Sequence, residues 1–336
     1  MKTMLASVLG AAAIIAVAAP RSASEDAARR YAHDYSAPRA VLSSEAPAVT
    51  PAVALGKSLF FDPRLSRSRF VSCASCHNPA LSWADGNARA TGDLMKTLGR
   101  RTPTILNLAW AEAMFWDGRA ATLEDQALGP ITAQAEMNLT LDTMVARLTA
   151  IPGYTKLFER AYPGEGVSGK TVAKAIAAFE RTVISGVSPF DRWVAGDASA
   201  ISDEAKQGFV VFNSKARCSQ CHSGWRFTDD GFQDIGLPGM DRGRGGIINL
   251  ADAEHAFKTP TLRDVERRAP YMHDGSVATL EQVVELYDKG GEVRRPSLSD
   301  DIRPLHLTAA EKHALVAFMR TLTGTERPMT LPVLPN

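Results

Sequence analysis

The stretches Cys73-Ala74-Ser75-Cys76-His77 and Cys218-Ser219-Gln220-Cys221-His222 are one motif written twice, and together they use every cysteine of the 336-residue chain. In C-x-x-C-H the two thiols add to the vinyl groups of a haem, and the adjacent imidazole is left to ligate the iron from the proximal side. The repetition predicts two covalently bound c-type haems, attached at Cys73, Cys76, Cys218 and Cys221, with His77 and His222 as proximal ligands. Zinc and thiol redox chemistry also use C-x-x-C. Zinc wants all four thiolates together, however, and a thioredoxin-like site has no need of the trailing histidine.

The chain opens with Met1-Lys2, an alanine-rich apolar run from Leu5 to Ala19, and small residues around Ala16-Val17-Ala18. This is the layout of an export signal, read here as residues 1–23. The run is short for a bilayer span and nothing later is apolar for long enough, so the expectation is a periplasmic protein without a membrane span. No cysteine ends the signal to take a lipid. Basic and acidic residues number 38 and 37, a balance that offers nothing to nucleic acid or an anionic membrane.

Helical periodicity with caps dominates the rest. Ser202-Asp203-Glu204 opens the run from Ala205 to Phe212 into the second haem motif. Leu141 to Leu148, Val172 to Ile184 and Ala309 to Leu322 carry apolar residues at helical intervals, the last behind a Thr308/Glu311 capping box. Loops rich in glycine and proline, such as Gly236 to Gly246, separate them. The predicted fold class is all-α, with long loops around the cofactors.

An internal repeat extends beyond the haem motifs. Arg101-Thr102-Pro103-Thr104 recurs as Lys258-Thr259-Pro260-Thr261. Trp116-Asp117-Gly118 with Ala121-Thr122-Leu123-Glu124 recurs as His273-Asp274-Gly275 with Ala278-Thr279-Leu280-Glu281, and the blocks align without a gap. Two homologous cytochrome c-like domains, residues 24–196 and 197–336, are the economical reading. Gly196-Asp197-Ala198-Ser199 marks the linker.

The differences between the halves point to function. Fourteen residues after His273 stands Tyr287, and fourteen after Trp116 stands Pro130. If this position faces the iron opposite the proximal histidine, the second half offers a phenol ligand and the first offers nothing. None of the seven histidines lies between His77 and His222, so after its haem motif the first half has no further imidazole to cap the iron. Met95, then Met114 and Met137, are the sulfurs that compete for the first iron, although a methionine in a solvent loop is the commoner reading of Met95. Met240, Met272 and Met319 compete with Tyr287 for the second. His33, His255, His306 and His313 read as surface or hydrogen-bonding residues.

The haem motifs, the Thr-Pro-Thr stretches, Phe115-Trp116-Asp117-Gly118-Arg119, Leu123-x-x-Gln126, Glu136-Met137 and Pro270-Tyr271-Met272-His273-Asp274-Gly275 resemble the bacterial di-haem cytochrome c peroxidases, and especially their MauG-like branch, from about Leu55 to Leu322. The resemblance implies that hydrogen peroxide reacts at the N-terminal haem while the C-terminal haem passes or stores electrons. It also implies that Trp116 lies between the haems, and that Gln126, Pro130 and Glu136 line the peroxidatic pocket. Ordinary peroxidases have methionine at the position of Tyr287, whereas the MauG-like branch has tyrosine. A carboxylate such as Glu136 suits the proton transfer that O–O cleavage requires.

Two departures stand out. Arg101 occupies the place of an asparagine that helps the family hold a calcium ion between the haems, and a guanidinium cannot ligate a cation, so either calcium is lost and Arg101 supplies the positive charge, or other oxygens bind the ion. Lys215-Ala216-Arg217 stands where MauG has a surface tryptophan for electron exchange with its protein substrate, so the same route to the same partner is not expected. Three functions follow. The first is MauG-like oxidation of a partner protein with peroxide. The second is reduction of peroxide with electrons from a redox partner such as a small cytochrome or cupredoxin. The third is non-enzymatic electron carriage, against which an unligated first iron argues.

Overall fold

The computed structural model describes residues 23–43 and 47–336. The export-signal reading falls on residues outside these, apart from its last position. Helices carry the architecture, and the paired strands among the described residues are Phe232–Gln233 and Phe257–Lys258, antiparallel.

Each half is organised on one crossing of two helices. In the first, Pro51–Phe60 lies across Gly169–Glu180; in the second, Asp203–Asn213 lies across Ala309–Arg320. Side-chain oxygens of Thr50, Ser168, Ser202 and Thr308 accept the orphan N–H groups of the first turns, and Ser168/Thr171 and Thr308/Glu311 form reciprocal capping boxes. A glycine stands at each crossing because the backbones meet there. A Cβ on Gly56 would lie 1.8 Å from the carbonyl oxygen of Ala175, and one on Gly208 would lie 1.9 Å from that of Ala314. The same two glycines face the Cβ atoms of Phe179 and Phe318, so the two crossings share one register.

Aromatic side chains fill the space around each crossing. Phe60, Trp83, Tyr154, Phe158 and Phe179 centre one core; Phe190, Trp193, Phe209, Phe212, Phe227 and Phe318 centre the other. Each fully buried phenylalanine contributes roughly 1.5–3 kcal/mol by leaving water. The cores do not divide the chain at residue 196. Ala28, Ala32 and Tyr35 from the start of the described chain, with Phe190 and Trp193, pack into the second core. Met329, near the C-terminus, packs against the first. Each half is therefore closed by a segment from the other end of the sequence.

The helix expected over Val172 to Ile184 ends at Glu180. Its continuation is claimed elsewhere, since the Val183 carbonyl accepts the N–H of Asn107 at 2.9 Å and the Asn107 side chain bonds Ser185. The helices Leu123–Thr132 and Leu280–Lys289, capped by Thr122 and Thr279, match in length and position in the repeat.

Overpacking a closed helix crossing costs about 1–3 kcal/mol. Gly56→Ala and Gly208→Ala are each expected to lower the unfolding free energy by that much, with a matching fall in the thermal midpoint. Gly99→Ala, where a Cβ meets nothing within 4 Å, should stay within about 0.5 kcal/mol of the parent. Equal midpoints for all three would contradict the crossing geometry.

Candidate functional site

A cavity of about 830 Å³ is lined from both halves, and both C-x-x-C-H motifs open onto it. None of the four cysteines is paired in a disulfide. The His77 Nδ1 meets the carbonyl oxygen of Trp83 at 3.2 Å, and the His222 Nδ1 meets that of Phe227 at 2.8 Å. With Nδ1 as the donor, each ring is fixed and its Nε2 is the nitrogen left for an axial bond. Burial lowers both imidazole pKa values, which keeps the rings neutral and fit to ligate.

The Thr-Pro-Thr stretches support this arrangement twice over. Thr104 Oγ1 donates to the Ser82 carbonyl at 2.7 Å, and Thr261 Oγ1 donates to the Arg226 carbonyl at 2.6 Å, each one residue before the carbonyl that receives the histidine. Two thiols and an oriented neutral imidazole facing one cavity, in each half, are the groups that a covalently held haem requires, and the residues present fit it. Among the described residues no three His, Cys, Asp or Glu side chains gather into a metal-holding group, so the thiols do not meet as zinc would need.

The halves meet through reciprocal backbone bonds. Arg101 N–H donates to the His273 carbonyl and Lys258 N–H to the Trp116 carbonyl, both at 2.7 Å. These are equivalent positions of the repeat, exchanged. Trp116 is 8 % exposed, its Nε1 donates to the Arg101 carbonyl at 2.9 Å, and its ring lies 6.5 Å from that of His273, which stacks on Phe257 at 3.5 Å. Arg100 joins Asp117 of the first half at 2.6 Å to Asp241 of the second at 2.7 Å, and holds the Asp241 carboxyl down to about 2.

Pro130 and Tyr287 both line the cavity from the matched helices, as do Gln126 and Glu136. Pro130 has no N–H to give the Gln126 carbonyl, so the helix is weakened where it faces the cavity. Enclosure raises the pKa of the Tyr287 hydroxyl, because a phenolate there loses its hydration. Enclosure likewise raises the Glu136 carboxyl, against the pull of the Arg119 charge. The Glu136 carbonyl accepts the Asp93 N–H at 2.5 Å, and Gly92 lets the two segments close, since its Cβ would lie 1.9 Å from the Ala135 carbonyl oxygen.

Of the competing sulfurs, Met95 is 81 % exposed and Met240 is 93 % exposed, and neither lines the cavity. Met114, Met137, Met272 and Met319 do. The sequence reasoning passed over Glu180 and Arg268, which also line it. Alignment of Phe179-Glu180-Arg181-Thr182 with Phe318-Met319-Arg320-Thr321 was the available signal for Glu180.

The surroundings of Arg101 do not suit a calcium ion. Its buried guanidinium donates to the Arg268 carbonyl, its Nε has no partner, and Arg268, also buried, bonds only carbonyls of Thr261, Arg263 and Asp264. Two cations held on backbone oxygens leave no donor set for a third.

The family model "Di-haem cytochrome c peroxidase" matches residues 50–199. The chain is 53% identical to the methylamine utilization protein MauG of Methylorubrum extorquens over 303 residues, 89% of this chain and 86% of that one. It is 35% identical to the cytochrome c551 peroxidase of Pseudomonas aeruginosa over 84% and 81% of the two chains. A crystal structure of a MauG-like protein associated with microbial copper homeostasis superposes with a TM-score of 0.76 at 31% identity, covering 86% of this chain and 92% of that one. The chain belongs to the di-haem cytochrome c peroxidase and MauG family, whose members are haem oxidoreductases.

If Arg101 fills the place of a cation, exhaustive dialysis of the holoprotein against a calcium chelator is expected to leave its absorption spectrum and unfolding midpoint unchanged. A loss restored by added calcium would contradict this.

Proposed function

We propose that the chain is an exported di-haem c-type enzyme that reacts with hydrogen peroxide in its first half and oxidises a partner protein. Residues 24–196 and 197–336 form its two cytochrome c-like domains, with the terminal segments exchanged between cores. The observation that carries the reading is the pairing of Pro130 with Tyr287 at one position of two matched helices, both lining the cavity. The similarity to MauG sequences along most of the chain supports the same choice. Export to the periplasm rests on the first residues of the sequence; no helix among the described residues is long and apolar enough to cross a membrane.

Haem bound covalently at Cys73/Cys76 and Cys218/Cys221, with His77 and His222 as axial ligands, would supply the redox equivalents and one vacant coordination position. The chain's own residues do the rest. Pro130 presents no ligating atom, which keeps the first position vacant. Glu136 takes a proton from one peroxide oxygen and returns it to the other, as O–O cleavage requires, and Gln126 offers an amide to hold the oxidant in place. Tyr287 would hold the second haem's iron through its hydroxyl oxygen. Trp116, bonded at the seam to both halves, is the aromatic group assigned to electron exchange between them.

Two measurements check this. The fully oxidised protein is expected to react with peroxide without prior reduction and give a long-lived oxidised product, and Tyr287→Phe should abolish its accumulation. A requirement for half-reduction would place the chain with the peroxidases fed by a small cytochrome instead. Glu136 acts as a base only when ionised, and its carboxyl is raised. The rate of the initial reaction should therefore increase with pH through a midpoint above the ordinary glutamate value. Glu136→Gln should remove that rise and lower the rate by about 10²–10⁴-fold; an unaltered pH profile in the variant would remove Glu136 from the role.

A further inference from the structure

We infer that Glu180, a buried carboxyl lining the first half's pocket besides Glu136, supplies a proton to it during turnover. The inference rests on the reading above that the first half holds the open site. Glu180 ends the helix Gly169–Glu180, is 3 % exposed, and lines the cavity. Its Oε2 has no hydrogen-bond partner, an arrangement that costs about 1–3 kcal/mol for a neutral buried polar group and more for a charged one. The shared register of the two helix crossings supplies its counterpart. Ala175 and Ala314 meet the two glycines and Phe179 and Phe318 follow, so Glu180 corresponds to Met319, which also lines the cavity. The half with Pro130 thus carries a carboxyl where the half with Tyr287 carries a thioether.

Burial pushes the Glu180 carboxyl up to about 8, so that it is a neutral acid at pH 7. The charges that reach it are Arg181, the residue after it at the helix end, which lowers the value, and Glu124 on the neighbouring helix, which raises it; these two pair with each other at 2.8 Å. Glu180 and Glu136 both line the cavity, as does Cys73, whose thiol is pushed up mainly by burial and further by the charge of each carboxyl.

Reducing hydrogen peroxide to two waters breaks the O–O bond and consumes two electrons and two protons. The partner protein gives the electrons. Glu136 shuttles a proton between the two oxygens and adds none, so protons must enter the pocket separately. Glu180 gives the first from its carboxylic acid, regains a proton from solvent through the cavity because its buried Oε2 has no other partner, and gives the second in the same way.

The test uses the holoenzyme with Glu180→Gln, and Glu180→Met as the variant whose side chain the second half already accommodates at this crossing. In the parent, kcat with a one-electron dye as reductant is expected to fall as pH rises through about 8, because the acid form is lost there. In the variants kcat should drop by at least about tenfold and lose that limb. The infrared difference spectrum between oxidised and reduced holoprotein should lose a carboxylic acid C=O band, while the EPR signals of both irons persist. A band and pH limb that survive in both variants would overturn the assignment of Glu180 alone. A parent protein whose first iron is already six-coordinate would overturn the open-site reading and this assignment with it.

Discussion

Two backbone hydrogen bonds, from Arg101 N–H to the His273 carbonyl and from Lys258 N–H to the Trp116 carbonyl, set the relation on which the site depends. Each adds only about 1 kcal/mol net, so their importance is geometric. Equivalent positions of the repeat exchange partners, so the contact at the seam is reciprocal. The aromatic pair Trp116 and His273 is thereby fixed beside the seam, and a single cavity opens to both C-x-x-C-H motifs. Arg100, bridging Asp117 to Asp241, reinforces the contact from a partly exposed position.

What the halves keep in common is the machinery for holding something rigidly. Each has a glycine at its helix crossing, a motif histidine whose Nδ1 meets a carbonyl five or six residues on, and a threonine hydroxyl buttressing the preceding carbonyl. They diverge in the side chains that face the cavity, where Pro130 stands opposite Tyr287 and Glu180 opposite Met319. The first half presents a proline and a carboxyl where the second presents a phenol and a thioether. In the proposed reading that divergence separates a place where oxidant reacts from a place where charge is stored. A phenolate, costly in this enclosure by itself, becomes favourable only beside a cation.

Much of this was legible in the chain because the relevant signals are local. C-x-x-C-H is a contiguous motif, the Thr308/Glu311 box announces its helix, and the gapless spacing from Thr102 to Trp116 and from Thr259 to His273 exposes the repeat. The features that were not legible depend on distant partners. The end of the helix at Glu180 is decided by Asn107, seventy residues earlier, which claims the Val183 carbonyl. The first described helix, Ala23–Ala32, packs into the second core because its small residues fit against the Asp203–Asn213 helix, and no periodicity records which neighbour an amphipathic face will choose. Glu180 was overlooked because a carboxylate between Phe179 and Arg181 reads as an ordinary helix-end residue until the crossing shows which way it is buried.

The central claim is that one iron offers a vacant position and the other does not. Titration of the oxidised holoprotein with cyanide, followed by EPR, measures this directly. The account predicts one equivalent bound per two haems, with conversion of a high-spin signal and no change in the low-spin one. Uptake of two equivalents, or of none, would contradict it.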